Sequence, residues 1–485
     1  MRFLNFTVII SVACIFSAGK AFGACHAVTP TGSGSKTGVD WNDAYAGLPA
    51  ALTRGDIYYL ADGSYGALRL SQAASGTSTI EIRKAQSFDN GSSCSPSIAA
   101  GWSTSTMGSG QAKFSGANPV ASISANYFIL NGNGTQTAQG CGGALSAASV
   151  TATLSNPTDC GIQLYSNGSP ESSGLLNLGT GNVNNVTVEY VEMFGAGDNS
   201  NEQWEEIGPF GGSGPLNFSH IYGHNAGCVY FQDGAQGRTI AHSYFWGTEV
   251  NGASGGCHGQ FSFEDGSTSN ITENDNVYRD ITGTAIWTFA NSSSTHNNLA
   301  YYDNVIWSTN FASSASAYGH LSDGLLACIN SGTQCTNVVI DQNTIVNEGG
   351  SQGVNDENGN GSYSITNNLW YAAGAGTPTN LGFSGNASSG NSYNSFLIAG
   401  WCPTGSNDVC NATASNPFNN WPNNDFTLAS DSASWNNRTS LSSVYNVDAA
   451  GDPFTTDRGA FQYDGAVAKA PGAPTNLSFT VVTVP

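Results

Sequence analysis

Between residues 186 and 372 the chain repeats one pattern of apolar and polar positions. A short alternating strand leads to a polar residue, and a second short apolar strand follows. NVTVEYVEMFG, PLNFSHIYGHN, RTIAHSYFWGT, NITENDNVYRD, NLAYYDNVIWS, NVVIDQNTIVN and SYSITNNLWYA share this design. Taking the polar residue as reference gives Tyr190, His220, Ser243, Asn276, Asn304, Asn343 and Asn368, spaced 23 to 39 residues apart. Helical periodicity is nearly absent, and Gly, Asn and Ser punctuate the strands. A shortest interval near 23 with variable excess predicts an all-β chain, a single-stranded right-handed parallel β-helix. Each coil would bond to the next about 4.8 Å along the axis, with the excess in inserted loops. Asn recurring at one bend predicts a ladder of stacked side-chain amides.

The ends read differently. Residues 1–24 have the form of an export signal: Arg2, an apolar run from Phe6 to Phe16, and small residues before Cys25. Lys20 ends that run too early for a membrane span, and no later segment is long enough for one. A secreted or periplasmic protein is expected. Removing Cys14 with the signal leaves ten of the eleven cysteines, an even number that suits disulfides. Register pairs Cys228 with Cys257. Short loops pair Cys328 with Cys335 and Cys402 with Cys410; Cys141–Cys160 comes next and Cys25–Cys94 is left over. The competing reading, lipidation of Cys25, would leave nine thiols. The β-helix domain is expected over residues 25–465, with a cap over 25–85, coils to about 375 and an irregular C-terminal cover over 376–465. Residues 466–485 form a Pro/Ala-containing tail.

Charge narrows the partners. There are 34 Asp and Glu against 13 Lys and Arg, and no lysine between Lys113 and Lys469. Nucleic acid needs a basic stripe, so it is excluded as a partner. A bare polyanionic glycan would be repelled unless calcium bridged it to carboxylates. A monomer acting on a polysaccharide is the expectation.

The repeated strands resemble the right-handed parallel β-helix of the pectate-lyase-like superfamily. The stretch WNDAYAGLPAALTRGDIYYLADGSYGALRLSQAASGTSTIEIRKA, residues 41–85, is similar to the opening of polysaccharide lyase family six, the alginate and chondroitin lyases. That resemblance implies a helical cap, and Trp41, Tyr45 and Leu48 fall at helical spacing. It also implies β-elimination on a uronic-acid glycan. The Lys/Arg pair that family-six lyases place beside acidic calcium ligands has no counterpart here, because the central coils hold no lysine.

Candidate chemistry gathers around GCHGQFSFEDG, residues 256–266, since six of seven histidines lie between residues 220 and 320. Strand alternation puts Val229, Phe231, Phe261, Phe263, Ile286 and Leu325 inward and leaves Tyr230, Gln232, Gln260, Ser262, Glu264 and Trp287 outward. Elimination needs a base, an acid and a neutraliser of the uronate carboxylate. His258 is the candidate base, Tyr230 or His258 the acid, and Arg279 or calcium the neutraliser, with Glu264 on the same rung. Trp246, Trp287, Gln232, Gln260 and His320 are candidate substrate contacts; Asp233, Glu249 and Asp265 are candidate calcium ligands. Two other readings stay open. A glycoside hydrolase would take a carboxylate pair from Asp233, Glu249 and Glu264, and CHG at 257–259 is a faint echo of the Gly-His-Gly of polygalacturonase-like β-helices. A non-catalytic adhesive solenoid would spread its polar residues evenly.

Overall fold

The computed structural model describes residues 23–116, 119–166, 174–179, 183–195, 205–208, 214–226, 229–232, 234–248, 259–281, 283, 285–309, 324–347, 352–372, 382–398, 402–411, 415–436, 439, 448–450 and 457–463. Three parallel sheets of 13, 12 and 10 strands wind round one axis, so that each coil gives one strand to each sheet in turn. This is the right-handed parallel β-helix that the repeats predict. The coils run past residue 375, because Gly382–Phe383, Asn391–Ser392, Ser395–Leu397 and Val409–Cys410 extend the same sheets.

The turn from first to second sheet is the tightest corner, and its chemistry explains the recurring Asn. The amide oxygen of Asn304 accepts both the backbone N–H and the side-chain amide of Asn276, each at 3.0 Å. Asn304 repeats this on Asn343, Asn343 on Asn368 and Asn368 on Asn394; the last rung rests on Asp408. The residue before each ladder position is left-handed: His242, Asp275, Asp303, Gln342 and Asn367 have φ of 50 to 56°. Tyr190 and His220 belong to this left-handed row at φ 54° and 50°. They therefore stand one residue ahead of the ladder, where Ile221 N–H meets the Ser243 hydroxyl at 3.1 Å.

The cap departs from the expected helix. Trp41–Asp43 makes one 3-10 turn capped by Asp40, and Tyr45–Ala46 then pairs as a strand with Cys25–Thr29. Gly47, at φ 70°, and Pro49 leave no room for further helical turns. Trp41 still covers the solenoid end, buried with Ala44, Tyr59 and Ile98.

The lumen is a continuous apolar core. A second apolar cluster lies outside it, on the outer face of the second sheet. There Tyr222, Tyr244, Trp246, Val277 and Trp307 meet Leu154 from the disulfide-closed segment and Phe418, Phe426 and Trp435 from the C-terminal cover. Cys25–Cys94, Cys141–Cys160, Cys328–Cys335 and Cys402–Cys410 are bonded, with Cα separations of 5.1 to 6.3 Å. The sulfur of Cys25 is thereby committed, which leaves none for lipidation. Cys228, Cys257, the export signal and the tail lie outside the described residues. Among the described residues no helix is long and apolar enough to cross a membrane.

Candidate functional site

Connections from third to first sheet are short, whereas those from second to third sheet carry the inserted length. Thirteen residues separate Tyr244–Thr248 from Ser262–Glu264, and sixteen separate Val305–Trp307 from Gly324–Cys328. These are the coils with the widest spacings. His258, Glu249 and His320 sit on these connections, and they lie outside the described residues, as does Asp233.

In the third sheet the expected alternation holds for Phe231, Gln232 and Phe261 but is off by one phase at Ser262, Phe263, Glu264 and Trp287. Phe231, Ser262, Trp287 and Leu326 share one row across the strands, and Glu264, Phe289 and Cys328 another. Both rows face the lumen. Gln232, Phe263, Thr288 and Ala327 form the outward row between them. Glu264 and Trp287 are thus fully buried rather than outward, and Phe263 is half-buried rather than core. The cause is Arg238, a polar residue placed inside. Its guanidinium donates to Glu264 at 2.7 Å and Glu273 at 3.1 Å and lies over the Phe231 ring at 4.8 Å. Glu273 also accepts from the Tyr278 hydroxyl at 2.6 Å and the Trp287 indole at 2.7 Å. A charged side chain needs partners to be buried, so Glu264 must turn inward with it.

The two carboxyls differ. Burial alone would raise Glu264, but the close Arg238 charge and the Ser262 hydrogen bond hold it below its ordinary value. Burial prevails at the more distant Glu273, which is raised. Neither carboxyl reaches solvent, which removes Glu264 from catalysis and from any hydrolytic pair. Tyr230 is likewise buried, its hydroxyl donating to the carbonyls of Trp246 and Gly247 at 3.0 and 3.2 Å. It is not an outward acid. Gln260 is fully buried, Gln232 is nearly so on the outward row, and Asp265 is exposed on a turn. Among the described residues no three His, Cys, Asp or Glu side chains are placed to hold a metal ion. Of the three candidate calcium ligands only Asp265 lies among the described residues.

What the fold does bring together is Arg279 and Trp246. The guanidinium lies 3.6 Å over the Trp246 ring and 4.5 Å from the Trp307 ring, an indole stack on both faces. Asp280 fixes the arrangement, accepting from Arg279 Nε at 3.2 Å and from the Trp246 indole at 3.0 Å. Thr309 donates to the same carboxylate from the root of the next long connection. The stack therefore stands at the rim where both long connections leave the second sheet. Farther along this face, His224 bonds Glu192 at 3.0 Å between the stacked rings of Phe194 and Tyr222. Gln111 and Gln163 also donate to Glu192. Burial opposes ionisation of Glu192, but these donors keep its carboxyl below the ordinary range. Trp307, Asp280, Glu192 and His224 were missed as site residues. The alternation after each corner Asn, read in VYRD and VIWST, places Arg279 and Trp307 in one outward row and was the available signal.

No protein-family model matches the chain, and no curated relative does. Among solved structures it is similar to the crystal structure of pectate lyase Pel9A, at TM-score 0.53 and 10% identity, over 92% of this chain and 98% of that chain. The PL6 family alginate lyase AlyGC gives TM-score 0.30 at 12% identity, over 68% of this chain and 48% of that chain. A mutant of AlyGC gives TM-score 0.29 over 74% and 50%. At these identities the likeness to pectate lyase is one of fold: the chain has the pectate-lyase-like right-handed parallel β-helix.

Proposed function

We propose that the protein is a secreted polysaccharide lyase that cleaves a uronic-acid-containing glycan by β-elimination. The observation that carries this reading is Arg279, a planar cation held flat between two indoles at the root of the long connections. A fork so fixed suits bidentate pairing with a uronate carboxylate, which acidifies the neighbouring C5 proton. Trp246 is buried under the cover rather than open to a sugar, so its part is to hold the guanidinium in place. The proposed base is His258, on the connection that begins after Thr248. It takes the C5 proton, the electron pair forms the C4–C5 double bond, and the C4–O bond breaks. The proton passes to the leaving oxygen. The full-length likeness to a pectate lyase and the disulfides of an exported chain support the same reading.

The test is a panel of polyuronates and neutral glucans, followed for ultraviolet absorbance of unsaturated products and for new reducing ends. Both signals on a polyuronate are expected. Reducing ends without absorbance would sink elimination in favour of hydrolysis, and neither signal would leave a binding protein. His258→Ala should cost about 100-fold in turnover, the scale of a lost general base.

A further inference from the structure

The outward row that carries Arg279 runs from Ser115 through Tyr165, Phe194, His224 and Trp246 to the rim. Its middle is covered. The Val150 carbonyl meets His224 Nδ1 at 2.5 Å, and the Val150 side chain lies close against Gly247. The N-terminal end is open. Tyr165 is 37% exposed, one of the few large apolar side chains among the described residues that are, and its ring packs at 5.3 Å on Phe194. In the neighbouring outward row Lys113 is exposed and lies beside Gln163. The Gln163 amide nitrogen is held by Glu192 at 2.8 Å, which fixes the direction of its carbonyl oxygen. The nearby Glu192 charge is taken up by His224, Gln111 and Gln163. Among the described residues no carboxylate lies within ion-pair distance of Lys113.

We infer that Lys113, Gln163 and Tyr165 form a distal subsite for a carboxylate-bearing sugar of the glycan chain, a role that rests on the uronate substrate proposed above. The Tyr165 ring offers a flat apolar face to a sugar ring, while Lys113 pairs its carboxylate. On a chain of net charge −21, Lys113 has no acidic partner among the described residues and stands beside an exposed ring and an oriented amide, a combination that accepts an anion where the rest of the surface repels one. Four strand-to-strand steps separate Tyr165 from Arg279 and five separate Lys113 from it, about 19 to 24 Å along the axis. Only a chain of several sugar units reaches both. Short substrates therefore miss the subsite and long ones gain it as a second point of attachment.

Mobility of the full-length protein in native gels containing polyuronate, with a neutral glucan gel as reference, measures the subsite directly. Retardation by polyuronate alone is expected. Lys113→Ala and Tyr165→Ala should each weaken it about tenfold, the effect of losing one charge-assisted contact. Lys36→Ala, an exposed lysine elsewhere, should leave it intact. Turnover of short oligouronides should be unchanged in Lys113→Ala, while the affinity for long ones falls. Retardation undiminished in Lys113→Ala and Tyr165→Ala overturns the subsite. Retardation that is lost in those variants, on a protein giving no unsaturated product, sinks the lyase reading and keeps the subsite.

Discussion

Arg238 decides the inner face of the central coils. Two carboxyls, two ring donors and a phenylalanine face are arranged round one guanidinium with no solvent contact. Replacing it with leucine leaves Glu264 and Glu273 buried without their cation, and should cost about 3–5 kcal/mol in urea unfolding. Phe261→Ala should cost a similar 3–5 kcal/mol, since its ring lies in the lumen among Tyr230, Phe231 and Phe245. Half-buried Phe263 should cost clearly less, the reverse of what its place in an apolar alternation suggests. His296 adds a pH term. It is fully buried, its Nδ1 has no hydrogen-bond partner among the described residues, and burial drops it to about 4 although Glu264 pulls the other way. Folded His296 stays neutral where the unfolded chain, near 6.5, takes up a proton. Its contribution is present above about 6.5 and is lost as pH falls toward about 4. Unfolding free energy measured across that window should decline, and His296→Gln should flatten the decline.

Among the elements, the corner ladder is the part that sequence made most legible. The Asn residues recur because each amide closes one rung on the next, a demand that a one-dimensional repeat displays openly. Asn304→Ala removes the acceptor for Asn276 and the donor to the Glu273 carbonyl and Asn343. It should cost about 2–3 kcal/mol, whereas Asn298→Ala, in an exposed stack on Asn270, should cost only about 1 kcal/mol, mostly from its left-handed backbone. Calorimetric melting of the pair separates the two. The third-sheet strands were less legible. Their phase depends on whether Ser262 and Glu264 seek Arg238 inside or water outside, and Arg238 is brought beside them by coil stacking from 24 and 26 residues away. The cap was misread for a related reason: the helical spacing of Trp41 and Tyr45 is satisfied as well by one short turn followed by a strand pair.

At the scale of the molecule, the winding and four of the five expected disulfides were legible in the sequence, but the covered outer face of the second sheet was not. Strands of that sheet are apolar on both faces, as in YFW and VIW, and nothing local says which segment lies over them. Deleting the chain after Asn411 should bare Tyr244, Val305 and Leu369. It should raise binding of a hydrophobic dye and lower the melting temperature, while the coils keep their far-ultraviolet circular dichroism. Dye binding equal to that of the full chain would show that the cover is dispensable.

The way that cover is anchored has a mechanical consequence. A solenoid is a ladder whose end coils can peel away singly, because each touches only its neighbours. Here Asn424 donates to the Leu145 carbonyl and Gln139 to the Ala449 carbonyl, while Arg458 grips the Asn394 and Asn407 carbonyls. The segment thus ties early coils to late ones, across hundreds of residues of sequence. Drawn apart by its two ends, the molecule should not shed coils one after another from the start. Force should climb until this clasp lets go, and only then should the extension trace break into steps of one coil each.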